Sequence, residues 1–153
     1  MNERFRKHVE VLDPILQRLV GMPPARFGRL PKVVPPSGVY LFSEGGTHLY
    51  VGRSKRLRNR LQYHATDRWL SASFAFLLAR EATGRTKATY KKAGSRKELQ
   101  SDPQFRQAFR DARARISEMD VRFVEEPDPV RQALLEIYAA ISLETKYNKF
   151  ETT

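Results

Sequence analysis

Apolar and polar positions along the chain sort into stretches with the helical period and stretches that alternate. Phe5, Val9, Leu12, Leu16 and Leu19 recur every three or four residues, the spacing of one helix face. Asp13-Pro14 interrupts this run with an N-cap type residue and a proline suited to a first helical position, so two short helices are predicted over residues 1–20. Residues 21–37 hold Pro23, Pro24, Pro31, Pro35 and Pro36 and read as a linker or wrapping segment. Two β-rich runs, 38–42 and 48–52, flank Gly45-Gly46 and predict a hairpin. Helices are expected over 55–65, with Leu57 and Leu61 inward, and over 69–82, where Phe74, Leu77, Leu78 and Glu81 recur. A basic, glycine-punctuated loop follows, with room for a short strand at 88–90. Residues 97–117 form an amphipathic helix that Asp102-Pro103 can break, with Phe105, Phe109, Ala112 and Ile116 on one face. Residues 119–124 alternate as a half-buried strand. Asp128-Pro129 opens a last helix whose inward stripe is expected at Val130, Leu134, Ile137 and Ile141. The sum is an α+β fold, a small antiparallel sheet flanked by helices.

Length and composition narrow the class. A chain of 153 residues fits one domain with a real core, and 41% hydrophobic with 29% charged residues is ordinary for a globular protein. With no cysteine, disulfides, thiolate metal sites and cysteine nucleophiles are excluded. The charged, interrupted start does not suit a signal peptide and no run suits a bilayer span, so no membrane partner and a cytoplasmic setting are expected. Twenty-eight Lys and Arg against 17 Asp and Glu give a net charge of +11, which favours a polyanionic partner, nucleic acid first.

The candidate chemistry centres on the hairpin. Gly38-Val39-Tyr40 and Tyr50-Val51-Gly52 place two tyrosines ten residues apart, Arg60 follows eight residues after Gly52, and His64 lies one turn later. Near the other end, Glu136 precedes Asn148 by twelve residues. Taken together, these positions resemble the signature of the GIY-YIG nuclease superfamily, over residues 38–65 and 121–150. The resemblance implies a GIY-YIG-like nuclease fold with extra N-terminal and central helices. It divides the chain into an N-terminal helical extension and Pro-rich linker (1–37), the motif hairpin with the arginine and histidine helix (38–65), a basic insert (66–118), and a strand with the metal-ligand helix (119–150). It also implies an endonuclease cutting DNA with Mg²⁺ or Mn²⁺, single strands and RNA staying open as substrates.

Elementary chemistry gives each residue type a task in such a cut. A carboxylate can hold one hard divalent cation that keeps several waters, the role implied for Glu136. The planar guanidinium of Arg60 matches two phosphate oxygens and stays charged. One motif tyrosine activates water, Tyr40 relayed by His64 being preferred and Tyr50 the alternative. Arg53, Arg56, Lys91, Lys92 and Asn148 complete the expected DNA contacts, Asn148 by hydrogen-bonded support of the site or as a helix C-terminal cap. Basic residues interleaved with Trp69 and Tyr90 in the insert suit backbone and base contact. His8 and His48 are expected to be surface groups. Regular pairing around a two-residue Gly-Gly turn would put Tyr40 and Tyr50 on opposite sheet faces. Both can serve one site only with an odd loop or a bulge.

Overall fold

The computed structural model describes residues 1–26, 29–63, 73–85, 99 and 101–150. It is an α+β structure built on one four-stranded antiparallel sheet. In chain order the elements are α1 (Glu3–Val9), α2 (Leu12–Gly21), β1 (Ala25–Arg26), β2 (Gly38–Glu44), β3 (Thr47–Ser54), α3 (Leu57–Tyr63), α4 (Ser73–Thr83), α5 (Pro103–Ser117), β4 (Asp120–Glu125) and α6 (Pro129–Ser142). No described helix is long and apolar enough to cross a membrane. The chain divides into two compact units, one made of residues 1–59 and 119–153, the other of residues 60–118.

The first unit carries the sheet, in the order β1-β4-β2-β3, which leaves β3 at one end. Strand β2 runs between β4 and β3, with Tyr40 opposite Phe123 on one side and Gly52 on the other. One face presents Val39, Leu41, Val51 and Val124 to Leu12, Ile15, Leu16 and Leu19 of α2 and to Leu135 and Ala139 of α6. Burying each such leucine or isoleucine contributes about 1.5–3 kcal/mol, so this face is the main stabilising layer of the unit.

Two helices do form in the first 21 residues, but the break lies before the expected one. Helix α2 begins at Leu12 with Val11 as an N-cap that offers no side-chain bond, so Pro14 sits third in the helix. Proline is tolerated there because first-turn N–H groups have no intrahelical acceptor. Asp13 accepts instead from the Tyr138 hydroxyl at 2.9 Å. Phe5, expected inward, is exposed, and α1 buries no residue completely.

The Pro-rich segment contains a strand too short for periodicity to reveal, Ala25–Arg26 paired with Val121 and Asp120. Beyond it the segment is tied down. The Arg58 guanidinium donates to the carbonyls of Pro31 and Lys32 at 2.7 and 2.9 Å, and the Leu57 N–H donates to the Pro36 carbonyl at 3.0 Å. Arg58 is thus a brace within the fold.

Helix α6 starts where the sequence places it. The Asp128 carboxylate accepts from the N–H groups of Val130 and Arg131, both at 2.9 Å, and Pro129 takes the first helical position. Its rotation corrects the expected stripe. Val130, Ile137 and Ile141 are exposed, while Gln132, Leu135, Ala139 and Ala140 are buried. The cause lies at the N-terminus: Gln132 donates to the Glu126 carbonyl at 2.6 Å and Arg131 pairs with the buried Glu126 carboxylate at 2.9 Å. These contacts fix which side turns inward, and the two small alanines allow close approach there.

In the central unit α4 and α5 pack together, with the Phe76 and Phe105 rings 5.2 Å apart. Asp102 caps α5 by accepting from Gln104 N–H at 2.9 Å, and Pro103 takes its first position, so the Asp-Pro break is present. Phe105, Phe109, Ala112 and Ile116 are buried as the period predicts. In α4, Phe74 and Leu78 are buried, but Glu81 is exposed and Phe76 takes an inward position. The expected strand at 88–90 and the starts of the 69–82 and 97–117 helices lie outside the described residues, apart from Leu99.

Candidate active site

The hairpin turn is the two-residue Gly45-Gly46, both at positive φ (58° and 83°), where a left-handed backbone suits glycine. Regular pairing from this turn would set Tyr40 against Val51. Instead the register shifts between Phe42 and Ser43: Ser43 pairs with His48 and Phe42 with Tyr50, leaving Leu49 as the extra residue of a bulge. Tyr40 therefore pairs with Gly52, and Tyr40, Phe42 and Tyr50 share one face. The ring centroids of Tyr40 and Tyr50 are 6.4 Å apart, and Tyr40 meets Phe42 edge-on at 5.7 Å. The bulge supplies the condition that the sequence set for both tyrosines to serve one site.

The glycines of the two tripeptides have packing reasons. A Cβ at Gly52 would lie 2.2 Å from the Tyr40 hydroxyl oxygen and 2.3 Å from Cζ, so the phenol crosses the bare backbone of the outer strand. A Cβ at Gly38 would lie 1.9 Å from the Val124 carbonyl oxygen in β4. Tyr40 itself is only 2% exposed, while Tyr50 is half-buried.

On the other face, alternation puts Arg53 with Val51, on the side where α6 packs. There the Arg53 Nε donates to Glu136 Oε2 at 2.8 Å. Glu136 lies three or four residues from the buried Gln132, Ala139 and Ala140, so it rides the edge of the inward face, its side chain 27% exposed. Burial pushes the Glu136 carboxyl above the usual carboxylate range, and the Arg53 guanidinium pulls it back only in part.

Asn148 closes the outer edge of β3. Its Oδ1 accepts from the Val51 N–H at 2.7 Å and its Nδ2 donates to the Val51 carbonyl at 2.8 Å, as a neighbouring strand residue would. Thr145 Oγ1 donates to the same Oδ1 at 2.7 Å, and the Tyr147 N–H donates to the Leu49 carbonyl at 3.0 Å. Asn148 thus holds strand β3 by hydrogen bonds and does not cap α6, since Leu143 takes that position.

The contacts among described residues thus join Glu136 to Arg53, Tyr40 to Tyr50, and Asn148 to Val51. The tyrosines and the Arg53–Glu136 pair take opposite faces of the hairpin and come closest along the chain at Gly52-Arg53. Arg60 is half-buried on α3 as the first residue of the central unit. Arg56 is exposed, its N–H held by Ser54 Oγ at 2.9 Å. His64, Lys91 and Lys92 lie outside the described residues. No group of three or more His, Cys, Asp or Glu side chains that could hold a metal ion gathers among the described residues, so no ready-made cage surrounds the Glu136 carboxylate. That fits Mg²⁺ only in its usual manner, with waters and substrate oxygens completing the shell.

Sequence reasoning missed several polar contacts. His48, expected to be a surface group, is partly buried and shares a hydrogen bond with the buried Ser43 Oγ at 2.8 Å. The direct pairing of Ser43 with His48 follows from the two-residue turn, on the turn side of the bulge, and had no signal in either residue alone. The Arg53–Glu136 pair required the rotation of α6, which apolar residues on several of its sides conceal. Compared with protein-family models, with curated proteins and with solved structures, the chain has no match in any of the three.

Proposed function

We propose that the chain is a metal-dependent endonuclease of the GIY-YIG type, hydrolysing phosphodiester bonds in DNA. The observation that carries the reading is the 2.8 Å contact between Glu136 and Arg53. It sets the carboxylate of α6 beside the residue that follows the second motif glycine, over which the Tyr40 phenol lies. Mg²⁺ or Mn²⁺ bound there would supply charge neutralisation at phosphorus and an acidified water. Glu136 is the protein ligand, one motif tyrosine with His64 moves the proton from water, and Arg60 binds the phosphate oxygens that gain charge. Asn148 acts indirectly, holding β3 and with it Tyr50 and Arg53.

The separation of the tyrosines from the Arg53–Glu136 pair by the sheet favours one second reading, a basic nucleic-acid-binding module without cleavage. Incubation of supercoiled plasmid and of single strands with Mg²⁺, Mn²⁺ or EDTA separates the two. The endonuclease gives metal-dependent nicking that drops by at least about a hundredfold in Glu136→Ala and Arg60→Ala, the order of loss for a charge-stabilising group. Binding without nicking under every metal supports the module.

A further inference from the structure

Arg53 holds Glu136 through a contact that is close but weakly anchored. The two side chains meet at 2.8 Å, yet the arginine is 45% exposed and the glutamate 27%. Pairs this accessible to water contribute little net stability, so the guanidinium can leave at small cost. The carboxylate is the more buried partner, and left alone it would be an anion with too little water around it. It therefore calls for some cation. A divalent ion on this carboxylate competes with the guanidinium for the same negative charge, and the two cations repel each other. The guanidinium has another partner to go to, since its planar fork matches phosphate oxygens at least as well as a carboxylate. The strand beneath it stays put, pinned by Asn148 on both backbone groups of Val51.

Building on the endonuclease reading of these same residues, we infer that Arg53 is an exchangeable partner of Glu136: it neutralises the carboxylate in the free protein and yields it to a divalent cation when a nucleic-acid phosphate draws the guanidinium away. Cation binding and DNA binding then assist one another, and the free protein takes up metal poorly. The arginine is a positioning residue for the metal site as well as a phosphate contact.

The test is a Mn²⁺ titration of the full chain without DNA, read by the paramagnetic resonance of free Mn²⁺, on wild type, Arg53→Ala, Arg53→Lys, Glu136→Gln and the Arg53→Ala/Glu136→Gln double variant. Arg53→Ala is expected to bind Mn²⁺ about three- to fivefold more tightly than wild type, the scale set by an exposed ion pair. Arg53→Lys keeps the wild-type affinity, and both Glu136→Gln variants lose the site. A short duplex with a non-hydrolysable backbone should tighten Mn²⁺ binding in wild type and do so less in Arg53→Ala, with Glu136→Gln plus duplex as the baseline for metal held by the DNA itself. Glu136-dependent Mn²⁺ binding that Arg53→Ala leaves unchanged or weakens overturns the exchange and leaves the endonuclease reading standing. Absence of Glu136-dependent binding in every variant, with or without duplex, overturns both. Thermal melts of each variant distinguish a lost site from a lost fold.

Discussion

At the scale of single residues, Glu136 carries the clearest conflict between folding and chemistry. Its carboxyl is raised above the usual range because burial outweighs the nearby arginine. A folded state that holds this proton more tightly than the unfolded chain loses stability as pH rises from about 4.5, the ordinary value, through the raised one. At neutral pH the ionised side chain therefore works against folding. Glu136→Gln, which keeps the shape and can still accept from Arg53, is expected to melt at or above the wild-type temperature at pH 7, the advantage vanishing near pH 4. A clear fall in Tm at pH 7 would show that the pair is a structural tie. His48 has the opposite dependence: burial, then the Arg122 charge, lower its pKa, so acidification below about 6.5 protonates the unfolded chain first and weakens the fold.

At the scale of elements, the hairpin was legible from the sequence because Gly45-Gly46 and the flanking β-branched and aromatic runs agree with each other. The N-caps of α5 and α6 were legible for the same reason, Asp-Pro being a local signal that tertiary packing did not override. The rotation of α6 was not. Val130, Leu134, Ile137 and Ile141 repeat at helical spacing, but so do Leu135, Ala139 and Gln132, and a helix apolar on most sides does not announce its inward face. The choice fell to the buried Glu126 and its bonds to Arg131 and Gln132. The edge clamp was equally hidden, since nothing about Asn148 or Thr145 names Val51 as the partner. Its weight can be measured. Asn148→Ala strips Val51 of both backbone partners at the end of the sheet, so a loss of about 1–3 kcal/mol is expected, or roughly 2–12 °C in Tm by the usual scaling. Unfolding curves check this, and an unchanged Tm would mean that water replaces the amide there.

At the scale of the whole molecule, charge is unevenly shared. Residues 60–118 hold thirteen Lys and Arg against six Asp and Glu, so they carry seven of the eleven net positive charges. Arg106 and Arg110, one turn apart and exposed on α5, belong to this excess. If the central unit meets the phosphate backbone, Arg106→Glu/Arg110→Glu weakens DNA binding across all sequences and flattens the salt dependence by about two in slope. Fluorescence anisotropy over a range of salt concentrations reads both, and an unaltered slope would move the contact elsewhere. The hairpin holds a different kind of constraint. Its ladder contains a single unmatched residue, so the orientation of Tyr50 depends on whether the count between the two tyrosines is even or odd. With pairing otherwise kept regular, adding or removing one paired residue between the tyrosines would turn Tyr50 over to the α2 and α6 side, whereas adding or removing two would leave it where it is. Changes of two paired residues between the tyrosines are therefore expected to preserve the shared face, and changes of one to break it unless the turn takes up the difference.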